Sequence, residues 1–166
     1  AEDIVSEQLI KHLQDDTNLT RTMTDITLQP TIEKNFNNIS CCFDLEEKTW
    51  TYLFWYLDEE NNRSALWRDG INLVDEKREI CIPLNASSII RYLSSWNLIP
   101  SGLLTYTTLA CYYGLTCFGG FAQGNYLPKI QAAYGSILNE ENDTNLSTQW
   151  SILNEDMVFL SQKNGE

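Results

Sequence analysis

Residues 48–58 read KTWTYLFWYLD, the most aromatic stretch of the chain. Side chains alternate between the two faces of an extended strand, so one face carries Trp50, Tyr52, Phe54 and Tyr56 and the other carries Leu53, Trp55 and Leu57. Because both faces are apolar, the sequence predicts a central strand that is covered on both sides. The alternative is that the five aromatic side chains of this strand line a pocket for a lipid or a sugar.

Further segments around this strand show the same period of two. They are residues 39–45, 63–68, 71–76 and 78–84. Polar turns separate the segments at Glu46-Glu47, at Glu60-Asn61-Asn62 and at Asp69-Gly70. Short segments joined by such turns are typical of hairpins. The sequence therefore predicts an antiparallel β-meander of four to five strands over about residues 39–84.

Helical spacing of apolar residues frames the predicted sheet on both sides. Val5, Leu9 and Leu13 predict an N-terminal helix over residues 3–15, and the acceptor Asn18 places the following residues on the surface. After the sheet, the pattern predicts a helix over residues 87–97 after a start at Asn85, and a second over residues 101–113. A third begins near Pro128 and carries Ile130, Tyr134 and Ile137 on one face, and a short last helix follows a polar loop at 139–148. The predicted fold is α+β, a single extracellular domain over residues 1–166 with three to four helices packed on the sheet.

The segment from Tyr92 to Pro128 contains no charged residue, although 20% of the chain is charged. A buried helix with a packed glycine-rich turn explains this, and it predicts that Leu104, Leu109 and Tyr113 are buried. A second interpretation is a membrane-active stretch over residues 98–122 that inserts into a bilayer and withdraws. A permanent membrane span is disfavoured because the segment contains Pro, Thr and Tyr within the length that hydrocarbon requires. The sequence favours the buried helix.

Six Asn-x-Ser/Thr triplets without a central Pro occur in the chain, at Asn18, Asn38, Asn62, Asn85, Asn142 and Asn145. The chain has 15 Asn and 26 Ser plus Thr, and random placement of that many residues gives roughly two or three triplets. The excess indicates an N-glycosylated protein that is secreted or displayed on an extracellular surface. Ala1 is then expected to be the first residue after removal of a signal peptide.

The chain has five cysteines. Because this number is odd, pairing in an oxidising compartment leaves one cysteine without a partner within the chain. Cys41 and Cys42 are neighbours that point to opposite faces of an extended segment, so they are not expected to pair with each other. One of the two is expected to bond Cys81, and Cys111 is expected to bond Cys117 across a turn. If Cys42 is the bonded partner, Cys41 remains as a free thiol or forms an interchain bridge.

Charge and motif content exclude several classes of function. The net charge is −12, with 11 basic and 23 acidic residues, whereas nucleic acids and anionic membranes attract clustered Lys and Arg. The single histidine, His12, has no acidic or thiol partner at catalytic spacing. The chain contains no CxxC, HExxH, GxSxG, GxGxxG or EF-hand pattern. The sequence therefore predicts a protein that is not an enzyme and that has no cofactor or metal.

These observations favour a secreted glycoprotein that binds an extracellular or cell-surface protein. It is expected to act as a ligand, decoy or modulator through a glycan-free aromatic face. Two alternatives stay open at this point. One is a membrane-active toxin or fusion-type subunit that uses residues 98–122, and the other is a carrier of an apolar small ligand.

Overall fold

A computed structural model of the protein describes residues 2–115 and 123–140. The helices within these residues are α1 Glu2–Asp15, α2 Asn18–Thr24, α3 Gln29–Phe36, α4 Ala86–Ser94, α5 Gly102–Tyr106, a π-helical turn Thr107–Tyr112, and α6 Gln123–Glu140. The strands are β1 Phe54–Leu57, β2 Arg63–Ala65, β3 Trp67–Asp69, β4 Asn72–Val74, β5 Cys81–Pro83 and β6 Leu98–Pro100. The α+β class and the N-terminal helix are thus confirmed.

The strands form two separate antiparallel sheets, so the prediction of one meander with four to five strands is wrong. Sheet 1 has the order β2-β1-β6 and sheet 2 has the order β3-β4-β5. Trp55 lies opposite both Ala65 and Ile99 in sheet 1, and Leu73 lies opposite Arg68 and Ile82 in sheet 2. Neither sheet has more than three strands.

A bend at Leu66 separates the two sheets. Leu66 is the single residue between β2 and β3, and it is fully buried. The hydroxyl of Thr51 accepts the Leu66 N–H at 2.8 Å, and the Tyr52 N–H donates to the Leu66 carbonyl at 2.9 Å. A buried side chain therefore satisfies a backbone group that a continuous ladder would otherwise have paired.

The predicted strand over residues 48–58 is shortened to β1 because the backbone before it is not extended. Lys48 and Trp50 have φ of 51° and 64°, which lies in the left-handed region. The predicted strand over residues 39–45 is absent for the same reason, since Asn38 and Cys41 have φ of 63° and 69°. A tight turn in which the Cys42 N–H donates to the Ile39 carbonyl at 2.9 Å replaces it.

The third strand of sheet 1 comes from the uncharged segment. All three residues of β6 are buried, and β6 pairs with β1 across more than forty residues of chain. The preceding helix, α4, is capped by Asn85, whose side chain accepts the Ser88 N–H at 2.9 Å. It ends at Ser94 rather than at 97, because Trp96 has φ of 63° and turns the chain toward β6. Trp96 is 52% exposed, so it does not continue the buried stripe of Ile89 and Leu93.

Helices supply most of the buried apolar residues. Val5, Leu9 and Leu13 of α1 are buried as predicted. The helix α1 packs on α2, α4, β6 and the π-helical turn, and α3 packs on α6. The sequence did not predict α2 and α3, and the residues after Asn18 are not all on the surface, since Leu19 and Met23 are fully buried.

The last described helix, α6, begins before the expected position. Pro128 lies inside it, as its sixth residue, and not in its first turn. The predicted buried stripe of Ile130, Tyr134 and Ile137 is confirmed. Apart from the last two residues of α6, the predicted polar loop at 139–148 and the predicted final helix lie outside the described residues.

Candidate functional site

A groove of about 730 Å³ lies between the two sheets. Its walls come from β1, β2, β3 and the loop of residues 75–80 that joins β4 to β5. Lining side chains include the aromatics Tyr56 and Trp67, the basic residues Lys48, Arg68, Lys77 and Arg78, and the acidic residues Asp58, Asp69, Asp75, Glu76 and Glu79. The bend at Leu66 creates this concave surface, because β2 and β3 belong to different sheets.

Trp67 supplies the aromatic floor of the groove. The side-chain nitrogen of Lys48 lies 4.5 Å from the centroid of the Trp67 ring. This geometry is a cation–π contact. Trp67 is 8% exposed and belongs to the core cluster, and the exposed side chain of Lys48 lies over its ring.

Ion pairs fix two arginines at the groove. Arg68 makes a bidentate pair with Glu33 of α3, with Nε–Oε1 at 2.6 Å and a second contact at 2.9 Å. The Glu33 hydrogen bond raises the pKa of the Arg68 guanidinium. Arg78 pairs with Asp69 at 2.8 Å. These two arginines are therefore already neutralised by partners within the protein.

Asp75 and Asp58 hold the loops at the two ends of the groove. The carboxylate of Asp75 accepts the Ile80 N–H at 2.7 Å, and its carbonyl accepts the Arg78 N–H at 3.1 Å. Asp58 accepts hydrogen bonds from the side chain and backbone of Asn62, and these bonds lower the pKa of the Asp58 carboxyl. Both loops are thus organised by hydrogen bonds within the chain.

The groove has an excess of acidic charge once the internal pairs are removed. Arg68 and Arg78 are paired, which leaves Lys48 and Lys77 as the basic side chains. On the acidic side only Asp69 is used in an ion pair, so Asp58, Asp75, Glu76 and Glu79 remain. In the part of the chain that the structure describes, the groove therefore has two more unpaired carboxylates than unpaired lysines.

The five candidate aromatic residues do not share one environment. Tyr52 and Phe54 are fully buried, so they belong to the core. Trp55 and Tyr56 are half-buried, and Tyr56 lines the groove. Trp50 is 54% exposed because its positive φ removes it from the strand. The described groove is thus walled mainly by charged groups rather than by these rings.

The glycosylation acceptors that the structure describes lie outside the groove lining. Asn38, Asn62 and Asn85 are exposed, and Asn18 is half-exposed at the start of α2. Asn62 is nearest to the groove, since its side chain donates to Asp58 at 2.9 Å. The remaining acceptors, Asn142 and Asn145, lie outside the described residues.

The expected disulfide between Cys81 and the Cys41–Cys42 pair is not formed. Such a bond requires both segments to lie in one sheet, but residues 41 and 42 lie in a turn and Cys81 lies in sheet 2. Cys42 is fully buried, and burial raises the pKa of its thiol. Cys41 is half-buried. Cys117, the expected partner of Cys111, lies outside the described residues.

The uncharged segment is partly core. Leu103 and Leu104 are fully buried, which confirms the prediction for Leu104. Leu109 is only half-buried, and Tyr113 is 44% exposed, so the predictions of burial for these two residues are wrong. Leu109 lies within the π-helical turn Thr107–Tyr112 and Tyr113 directly follows it, and the wider turn changes the angular positions of both side chains.

His12 is a buried structural histidine that connects α1 to the end of the π-helical turn. Its Nδ1 lies 3.0 Å from the Thr17 hydroxyl, and its Nε2 lies 3.0 Å from the Tyr113 hydroxyl. The Tyr113 hydroxyl donates to Gln8 at 2.8 Å, so it must accept from His12, which places the proton on Nε2. Burial lowers the pKa of His12, and the nearby Asp15 opposes this shift.

Residues 2–115 and 123–140 contain neither a cluster of metal ligands nor a helix suited to crossing a membrane. No group of three or more His, Cys, Asp or Glu side chains there could hold a metal ion. No described helix combines the length and apolar character that a membrane crossing requires.

The chain was compared with protein families, curated proteins and solved structures. No family model matches it, and neither a curated protein nor a solved structure gives a significant match.

Proposed function

We propose that this chain is a secreted, N-glycosylated protein-binding module that holds a segment of an extracellular partner in the groove between its two sheets. The observation that carries the proposal is the composition of this groove. Aromatic rings and charged side chains line it together, and none of the four acceptor asparagines that the structure describes lies among the lining residues. Protein interfaces combine aromatic anchors with charged groups that select the partner.

The positions of the acceptor asparagines favour contact with a partner on one side of the groove. Glycans on Asn38 and Asn85 would cover the turn after α3 and the start of α4. A glycan on Asn62 would stand at one rim of the groove, since Asn62 contacts Asp58 there. A bulky, hydrated glycan excludes protein contacts around its attachment point. The partner is thereby directed to the unglycosylated wall that residues 75–80 form.

A glycan placed inside the groove tests this proposal. Lys77→Asn combined with Glu79→Thr creates an acceptor triplet on the groove wall, and Asp15→Asn alone creates one on α1, which contributes no lining residue. Both variants and the parent chain are produced in a mammalian secretory line. Intact mass before and after glycosidase treatment measures site occupancy. Tagged proteins are then used to capture partners from cell surfaces.

The expected result is capture by the parent chain and by the Asp15→Asn variant, and loss of capture by the groove variant. If the groove variant carries its glycan and still captures the same partner, the groove is not the interface. If the parent chain leaves the secretory pathway without N-glycans, the proposed secreted glycoprotein is wrong at its first step.

A further inference from the structure

We infer that the partner segment held in the groove is basic, a stretch of polypeptide that presents Lys or Arg side chains. This inference rests on the proposed function, because it names the chemistry of the partner at the same site. Its first support is the unpaired charge, since Asp58, Asp75, Glu76 and Glu79 outnumber the two unpaired lysines of the groove. Opposite charge on the partner reduces the cost of burying the exposed carboxylates among them, Asp58, Glu76 and Glu79.

The contact between Lys48 and Trp67 shows that the groove accommodates a cation over the Trp67 ring. The Lys48 ammonium lies 4.5 Å from the centre of the Trp67 ring. It makes no ion pair within the described residues. A cation from the partner therefore obtains the same ring face when the exposed Lys48 side chain moves into solvent. Guanidinium and ammonium groups both bind indole rings in this way.

The acidic wall is organised before any partner arrives. Glu76 and Glu79 are exposed on the loop of residues 75–80. The hydrogen bonds that the Asp75 carboxylate accepts, at 2.7 Å from Ile80 and 3.3 Å from Lys77, hold this loop. The pair between Arg78 and Asp69 ties it to β3. Binding therefore orders little additional backbone, which lowers the entropic cost of association.

The charge of the whole chain acts in the same direction. A net charge of −12 produces a negative potential that steers a basic partner toward the surface. This long-range attraction does not choose a location. The specific part of the inference is that the groove, and not another acidic surface, binds the basic segment.

A fluorescein-labelled dodecapeptide of alternating Lys and Gly is the probe, and its Glu-Gly counterpart is the negative control. Fluorescence anisotropy is measured with the full glycosylated chain at about 0.01 M ionic strength and again at about 0.15 M, where the Debye length falls from about 30 Å to about 8 Å. The Lys-Gly peptide is expected to bind, and to bind more weakly at the higher salt. The Glu-Gly peptide is expected not to bind.

Matched charge variants locate the binding site. The groove variant combines Glu76→Gln with Glu79→Gln, and its control combines Glu46→Gln with Glu47→Gln, two exposed acids outside the lining. Loss of two exposed ion pairs weakens peptide binding about two- to tenfold. The control is expected to change the affinity by less than about twofold, because it alters only the net charge.

Lys48→Gln provides an independent test of the cation–π contact, with Lys11→Gln as its control. Both remove one exposed positive charge, but only Lys48 covers the Trp67 ring. The Lys48 variant is expected to bind the Lys-Gly peptide about two- to fivefold more tightly than the Lys11 variant. All variants must retain the urea midpoint of the parent chain, so that unfolding does not account for a loss of binding.

Three results would overturn the inference. They are equal weakening by the two acidic double variants, equal effects of Lys48→Gln and Lys11→Gln, and preferential binding of the Glu-Gly peptide. Each leaves the proposed function standing if the groove glycan still blocks capture of the natural partner, because that result depends on location and not on charge. Conversely, if the variant that carries the groove glycan still captures the partner, the proposed function is wrong, regardless of how the two peptides bind.

Discussion

Replacing Tyr52 with Phe removes a buried hydrogen bond that joins the region before β1 to α3. The Tyr52 hydroxyl donates to Oε1 of Gln29 at 2.7 Å, and both residues are fully buried. The amide nitrogen of Gln29 donates in turn to the carbonyls of Thr22 at 3.2 Å and Asp25 at 3.0 Å. The substitution leaves Oε1 of Gln29 without this donor in the core. A buried polar atom without a partner costs about 1–3 kcal/mol of unfolding free energy.

Urea unfolding followed by far-UV circular dichroism measures this loss. Tyr52→Phe is expected to lower the unfolding free energy by about 1–3 kcal/mol without changing the m-value. The matched control is Tyr56→Phe, which removes a half-buried hydroxyl in the groove and is expected to change stability by less than about 0.5 kcal/mol. A melting temperature about 2–4 °C lower for each kcal/mol is the corresponding thermal result.

The double variant with Gln29→Met separates the hydrogen bond from packing. If the bond exists, the two substitutions are coupled, and together they cost less than the sum of the single changes. Equal midpoints for Tyr52→Phe, Tyr56→Phe and the parent chain would refute the reasoning. Such a result would mean that the Gln29 amide is not confined by Tyr52.

Three further predictions concern backbone contact, pH and the core. Gly102→Ala is expected to lower the free energy of unfolding by about 1–3 kcal/mol, because the added Cβ would lie 2.4 Å from the Cys41 carbonyl oxygen. Gly135→Ala in α6 is the control, since its added Cβ meets nothing within 4 Å. In the same urea assay this control is expected to raise the free energy of unfolding by about 0.5–1 kcal/mol. Burial lowers the pKa of the His12 imidazole below its ordinary 6.5, so the unfolded chain binds this proton more readily than the folded protein does. The stability contributed by neutral His12 is therefore fully present above pH 6.5 and is lost as the pH falls through the folded pKa. Urea midpoints across this range are expected to fall less for His12→Gln than for the parent chain. Leu104→Asp places a charge at a fully buried position and is expected to abolish the cooperative thermal transition, and a normal melting curve would contradict its place in the core.

Local patterns in the sequence were sufficient for several helices. The spacing of Val5, Leu9 and Leu13 identifies the buried face of α1, and the stripe of Ile130 and Tyr134 identifies that of α6. The cap at Asn85 marks the start of α4. These features depend on residues within one or two turns of each other, so the sequence contains all the information that determines them.

The boundaries of the strands depended on long-range partners that local spacing does not contain. The sequence of residues 48–58 favours one long strand, but the φ of Lys48 and Trp50 shortens it to β1. Its neighbour β6 lies beyond the second sheet in sequence, and three residues of Leu98–Pro100 give too short a pattern to identify a strand. The prediction of a single meander failed for this reason.

By itself, the sequence determined the α+β class, the acidic charge and the acceptor asparagines, because these are properties of composition and short-range spacing. Only the tertiary structure decided which charged residues face one another. Thr51 hydrogen-bonds Leu66 at the bend between the sheets, and Lys48 and Trp67 line the same groove as the wall of residues 75–80. The groove forms from segments that are separate in the chain, so its charge and shape follow from the path of the backbone and cannot be obtained from any one stretch of sequence.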